Sequence, residues 1–314
     1  MIPIKKYFDA DQRAEIYRQL KEKNTYKTND PKIKVKTPLF KSLVVDKEKH
    51  GFRGDLYGMP KIEKALLSFF NGKCAFCEKF QEDETSKRSG KRVWQIEHYR
   101  PKSGKNSYYW LGYECTNFLL SCHYCNFNKN NSFEVVGDIR LKDTDFIENN
   151  EIDFSKCNID NAIFKNETPL FVNPITHIPK NHFEFKADGT ITHKDEYGDK
   201  SIRIYNLDRD ELKRARKKIV DDMRTLINSS ITSVAMETKR KPQDSTFNNI
   251  INGCLIHLWK EINNPKSEFI AFRTAIFENF VDFVIKNTNG IGSSSFNILY
   301  PNELEQAYLR IKFT

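Results

Sequence analysis

The chain has 314 residues and a formal net charge of +9, with 30% charged and 13% aromatic residues, a composition that argues against disorder and suits a globular protein with a real core. No apolar run approaches the ~18 residues of a membrane span, and the opening "MIPIKKYFDADQRAEIYRQL" lacks the apolar stretch of a signal peptide, so the cytoplasm is the expected compartment and no membrane is expected as a partner. The basic balance suits a polyanion such as nucleic acid, although a merely soluble basic protein carries the same charge.

In chain order, "ADQRAEIYRQLKE" predicts a short helix over 10–22, and "NTYKTNDPKIKVKTP" reads as loop with a possible edge strand. From Pro60, Ile62, Ala65, Leu66, Phe69 and Phe70 recur at helical spacing, with Asn71-Gly72 as the stop. Residues 81–92 form a charged loop. "VWQIEHY" predicts a strand ended by Pro101, "SYYWLGYECTNFLL" a short helix among aromatics, and "HYCNFNKNN" the first turns of another helix.

Beyond residue 136 the character changes. "HFEFKADGTITHK" predicts a hairpin, with Phe183 and Phe185 alternating and Asp188-Gly189 as the turn. "LDRDELKRARKKIVDDMRTLI" predicts a helix with Asp208 as N-cap and Leu212, Ile219, Met223 and Leu226 as its apolar face. Further helices are expected around 247–262 and 268–286, and loops at "METKRKPQDST" and "NTNGIGSSS". The expected organisation is an N-terminal basic extension (1–55), a core (56–135) and an α-rich region with an embedded hairpin (136–314) that binds a partner or substrate.

The seven cysteines are an odd number in a chain expected to be in a reducing compartment, so they read as metal ligands or buried thiols. Cys74-x-x-Cys77 and Cys122-x-x-Cys125 are two knuckles, each aiming two thiolates at one point, which suits a structural tetrahedral zinc. Four thiolates leave no open coordination position, so this zinc would staple chain segments rather than do chemistry. His123, inside the second knuckle, can in principle replace a thiolate, but the shell is already full. Cys115, Cys157 and Cys254 read as packed thiols.

Between the knuckles lies "IEHYRPK", with Glu97 beside His98. Asn117 follows nineteen residues on, Asn126 directly follows the last cysteine, and Lys129 shares its helix face. The stretches "GKCAFCE", "IEHYRPKS", "YYWLGYE" and "LLSCHYCNFNK" resemble the HNH nuclease family, also called the ββα-metal fold, and among its members the PtuB-like proteins of Septu-type anti-phage systems, some of them retron-associated. The match is strong over roughly residues 60–135, with a weaker echo in "LFVNPITHIPKNHFEFKADGTI" and "YNLDRDELKRAR".

The resemblance implies an α+β protein with a zinc-stapled ββα-metal core and a phosphodiester-cleaving site. His98 matches the first His of the pattern, Asn117 the central Asn, and Asn126 stands where the third position is often His, a variant of one-magnesium nucleases. His98 would take a proton from water. Glu97 and Asn126 would hold Mg2+ or Mn2+, Asn117 would fix His98 or its loop, and Arg100, Lys102 and Lys129 would contact phosphate. Adjacent strand residues point to opposite faces, so Glu97 and His98 meet at one phosphate only if the strand ends or twists there.

The implied partners are nucleic acid and a PtuA-like ABC-type ATPase, with a retron reverse transcriptase and its msDNA as further candidates. DNA and RNA stay open, because the same linkage is cleaved in both. A non-catalytic zinc adaptor that binds nucleic acid or an ATPase is the competing reading. "KRARKK" at 213–218 reads as a solvated face or a backbone-tracking surface. Tyr108, Tyr109 and Trp110 read as packing around the knuckle or as base-stacking rings. "FIAFRTAIFENFVDFVI" reads as core or a partner interface.

Overall fold

A computed structural model describes residues 7–22, 43–44, 52–81, 94–286 and 298–312. It is a mixed, helix-rich α+β structure with small two-stranded sheets. The expected loops at 24–38 and 287–295, and all but the start of the charged loop at 81–92, lie outside the described residues. No helix among the described residues is long and apolar enough to cross a membrane.

The chain divides into two compact units, 3–178 and 179–314. This division differs from the sequence boundaries at 55 and 135, for a physical reason. Arg13 of the N-terminal segment reaches the buried Glu114 at 2.8 Å. From the other side, Glu167 pairs with Arg100 at 2.8 Å, and the Tyr99 hydroxyl donates to the Phe171 carbonyl at 2.6 Å. Both flanks therefore share the core of the cysteine-bearing segment.

In the first unit, α1 (Ala10–Glu22) opens with a reciprocal cap: Gln12 N–H donates to the Asp9 carboxylate at 2.7 Å and Asp9 N–H to the Gln12 side chain at 3.2 Å. A single turn, α2 (Gly54–Tyr57), precedes α3 (Pro60–Phe69). Pro60 suits a first helical position because its missing N–H has no partner there anyway. α3 buries Ile62 and Leu66. It ends where Asn71 and Gly72 take positive φ and Gly72 N–H returns to the Leu67 carbonyl.

Strand β1 (Trp94–His98) pairs antiparallel with β2 (Phe118–Cys122), from Trp94↔Cys122 to His98↔Phe118. The segment expected to hold a short helix is instead two 3-10 turns, at Tyr109–Leu111 and Cys115–Asn117, running into β2. "FLLSC" is buried on both faces, so it carries no alternation to mark it as a strand. Helix α4 (His123–Lys129) follows at once. A two-residue ladder, β3 (Ile147–Glu148) with β4 (Glu151–Ile152), lies beyond. Tyr108, Tyr109 and Trp110 are buried, with Trp110 stacked on Phe146 at 5.5 Å.

In the second unit, β5 (Phe183–Phe185) and β6 (Ile191–His193) form the expected hairpin. Helices α5 (Glu196–Tyr205), α6 (Asp210–Thr238), α7 (Asp244–Asn263), α8 (Ile270–Glu278) and α9 (Pro301–Lys312) follow, with a π-turn at Val281–Ile285. α6 starts later and runs further than expected, so Met236–Thr238 are helical. Asp208 is not its N-cap: its carboxylate accepts from Ile191 N–H at 3.1 Å and pairs with Lys213 at 3.2 Å.

The apolar face of α6 is also rotated. Leu212, Val220, Met223, Ile227 and Ile231 are buried, whereas Leu226 is 51% exposed. The buried face includes Arg216, which donates to the carbonyls of Gly189 and Leu207. Within "KRARKK", Lys217 pairs with Asp221 and Lys218 with Asp222, so much of that charge is locally neutralised. The Phe-rich stretch is core: Phe269, Phe272, Ile276, Phe280, Phe283, Val284 and Ile285 are buried.

A four-thiol cluster beside a buried glutamate and histidine

The first knuckle is a tight turn between the end of α3 and Gln81. Lys73 bridges to Phe80, Gln81 N–H donates to the Gly72 carbonyl at 2.7 Å, and Glu78 takes φ 63°. Ala75 N–H donates to the Leu120 carbonyl at 2.8 Å, which fixes this turn to β2. The second knuckle straddles the start of α4, where Cys125 N–H donates to the Cys122 sulfur at 3.4 Å.

The sulfurs of Cys74, Cys77, Cys122 and Cys125 all lie within 4.8 Å of one another, and all four residues are buried. A tetrahedron of thiolates about 2.3 Å from zinc has edges of about 3.8 Å. The Cys77 and Cys122 sulfurs are 3.8 Å apart, and no disulfide forms. Donor type, number and spacing therefore fit zinc, and the four cysteines can hold it.

β1 presents Gln95 and Glu97 to α4. Asn126 donates to the Gln95 side chain, and one turn on, Lys129 Nζ lies 2.5 Å from Glu97 Oε1 and 2.9 Å from the His98 carbonyl. Glu97 and Lys129 are almost fully buried. Burial pushes the Glu97 carboxyl up, and Lys129 opposes that shift.

His98 obeys strand parity and turns the other way. Its ring meets Tyr57 and Phe118 edge-on at 5.1 and 4.9 Å. Its Nε2 lies 3.0 Å from the Gly112 carbonyl. A carbonyl only accepts, so Nε2 carries the proton and Nδ1 keeps the lone pair in the neutral ring. The Lys102 ammonium lies 3.4 Å from Nδ1. Burial, and then the Lys102 charge, hold the imidazole well below its usual pKa, so it is neutral at pH 7. A Cβ at Gly112 would collide with the Phe52 ring and force that ring to move.

Asn117 grips the turn after β1. Its Oδ1 accepts from Arg100 N–H at 2.8 Å, and its Nδ2 donates to the Arg100 carbonyl at 2.9 Å. The Arg100 side chain is buried against Glu167, which also accepts from the Tyr108 hydroxyl at 2.5 Å and from Leu141 N–H at 3.0 Å. The structure thus pairs Glu97 with Lys129 on the α4 side of β1 and His98 with Lys102 on the other side, with Asn126 opposite Gln95 and Asn117 behind the turn. The strand does not twist at its end to bring the His98 ring and the Glu97 carboxylate to one point. Of the three cations expected at phosphate, Lys102 is half-buried, while Arg100 and Lys129 are buried in ion pairs. Glu167 and Gly112 are the site neighbours that sequence reasoning did not single out. Glu167 carries no local signal, because it meets Arg100 only through the fold.

No family model and no solved structure matches the chain. Among curated proteins it is similar to Septu protein PtuA of Bacillus mycoides (strain KBAB4), at 26% identity over 175 residues, covering 52% of this chain and 21% of that protein. It is also similar to Septu protein PtuB of the same strain, at 28% identity over 253 residues, covering 73% of this chain and 78% of that protein.

Proposed function

We propose that the chain is a metal-dependent HNH-type endonuclease that hydrolyses phosphodiester bonds of nucleic acid, and that it is the effector of a Septu-type anti-phage system working with a PtuA-like ABC-type ATPase. The observation that carries this reading is the fixed tautomer of His98. A neutral imidazole is anchored through Nε2–H on the Gly112 carbonyl with Nδ1 directed at Lys102, and the neighbouring Glu97 is turned to the helix that carries Asn126. The strand–strand–helix order beside a four-thiol cluster supports the ββα-metal assignment, and the similarity to PtuB supports the defence setting.

The chemistry follows from these atoms. His98 Nδ1 accepts the proton of the attacking water. Gly112 holds the ring against rotation as it becomes cationic. Lys102 binds a non-bridging phosphate oxygen, and in moving there it releases Nδ1 from its own ammonium. Asn117 keeps the 99–102 turn in register with β2.

Glu97 and Asn126 are oxygen donors on the facing surfaces of β1 and α4, a donor type that suits magnesium or manganese. The Lys129 ammonium now lies on Glu97, and a metal bound there would take its place. Bound there, the metal would supply charge stabilisation at the phosphate and the leaving oxygen.

A second reading, a non-catalytic zinc adaptor, draws on the burial of both Glu97 and His98. Cleavage by wild type and His98→Ala, assayed with magnesium and the ATPase, separates the two. A nuclease loses cleavage on substitution while keeping its zinc. An adaptor shows no cleavage in either form and unchanged binding.

A further inference from the structure

Helix α4 has two sides. Asn126 and Lys129 face β1, whereas His123, Tyr124, Phe127 and Asn128 are exposed. Phe127 is 71% exposed and Tyr124 59%. Large rings at such exposure on one short helix call for a ligand more than a lone surface leucine does. The His123 and Phe127 rings, one turn apart, are already stacked, with centroids 5.9 Å apart and planes 29° from parallel. One π-surface is therefore pre-ordered before any ligand arrives.

The electrostatic setting selects the ligand. From Tyr99 to Phe133 the sole acidic residue is Glu114, and it is buried against Arg13. The exposed loop 103–106 carries Lys105 and lies against the end of α4, where Ser103 donates to the Asn131 side chain at 3.2 Å. Asn128, Asn130 and Asn131 are exposed beside it. Aromatic faces with exposed amides and Lys105 nearby, and no exposed carboxylate in α4 or in loop 103–106, match the chemistry that holds a nucleic-acid strand without reading its sequence.

We propose that Phe127, backed by His123, is a base-stacking platform, and that the strand this protein binds carries unpaired bases. In a duplex the π-faces of the bases are covered by their neighbours, so a ring can stack only on a base that is single-stranded, looped or displaced. Phe127 follows Asn126 in the chain but lies on the outer side of α4, so the platform would bind the strand beside the site proposed above. The inference rests on that reading for the fate of the strand and not for its binding.

The test is equilibrium binding of a fluorescein-labelled oligo-dT strand, and of a blunt duplex of equal length, to the full chain without added magnesium. Phe127→Ala is expected to weaken strand binding about 5- to 100-fold. It leaves the duplex affinity and the zinc content unchanged, and Phe127→Trp restores the strand. Unchanged strand affinity in Phe127→Ala overturns the proposal, as does a wild-type preference for duplex. Unchanged strand affinity with lost association to the ATPase also overturns it, because the face is then a protein-docking surface. Cleavage that persists with unchanged Phe127→Ala binding sinks the platform alone. Strand binding that depends on Phe127 without any cleavage sinks the nuclease reading alone.

Discussion

The Lys129 ammonium lies 2.5 Å from the Glu97 carboxylate and 2.9 Å from the His98 carbonyl, so one buried side chain ties the end of α4 to the last two residues of β1. Removing one member of such a pair leaves a charge buried without a partner, at about 3–5 kcal/mol. Lys129→Ala should therefore lower the denaturant midpoint steeply, and Glu97→Gln combined with Lys129→Met should recover much of the loss. A cost near that of a surface pair, about 0–1 kcal/mol, would show that the two groups are hydrated rather than locked.

Asn117 satisfies both backbone groups of Arg100, and its Nδ2 also lies 3.4 Å from the Leu111 carbonyl. Asn117→Ala strands a buried N–H and a buried C=O, which should cost about 3 kcal/mol. Urea unfolding measures this directly. A loss below about 0.5 kcal/mol would mean that the turn finds other partners.

Burial pushes the thiols of Cys115 and Cys157 well up and that of Cys254 up to about 11. At pH 8 these groups stay protonated and shielded, while zinc would protect the remaining four. Folded, zinc-loaded protein should react slowly with Ellman's reagent at every cysteine, and denaturation should expose all seven. A thiol that reacts at the rate of free cysteine before zinc is released would contradict the packing.

Gly189 has φ 85°, and a Cβ there would collide with the Lys213 carbonyl on α6. Gly189→Ala should separate the hairpin turn from α6 and weaken the Arg216 bond to the Gly189 carbonyl, costing about 1–3 kcal/mol. Thermal unfolding that leaves Tm unchanged would show the turn to be adaptable.

What the sequence reveals is what is local. Cys74 with Cys77 and Cys122 with Cys125 show their pairing by spacing alone, and the structure gathers the four sulfurs. The Asp188-Gly189 turn and the Asn71-Gly72 stop are equally plain. β2 is hidden because "FLLSC" is apolar throughout, which leaves strand and helix alike. The face of α6 is misphased because Arg216, a residue expected outside, sits on the buried side. Lys129 reads as a phosphate contact by its helix position, yet its burial depends on Glu97, thirty-two residues earlier. The Arg100–Glu167 pair, sixty-seven residues apart, leaves no trace in either local stretch.

The most direct test of the account is metal analysis joined to cleavage on one preparation of the full chain with the proposed PtuA-like ATPase. The predicted result is one zinc per chain that survives dialysis, together with cleavage that weak chelation abolishes and added magnesium or manganese restores. Protein that folds and cuts without zinc, or cuts undiminished after the weaker metal is removed, would contradict it.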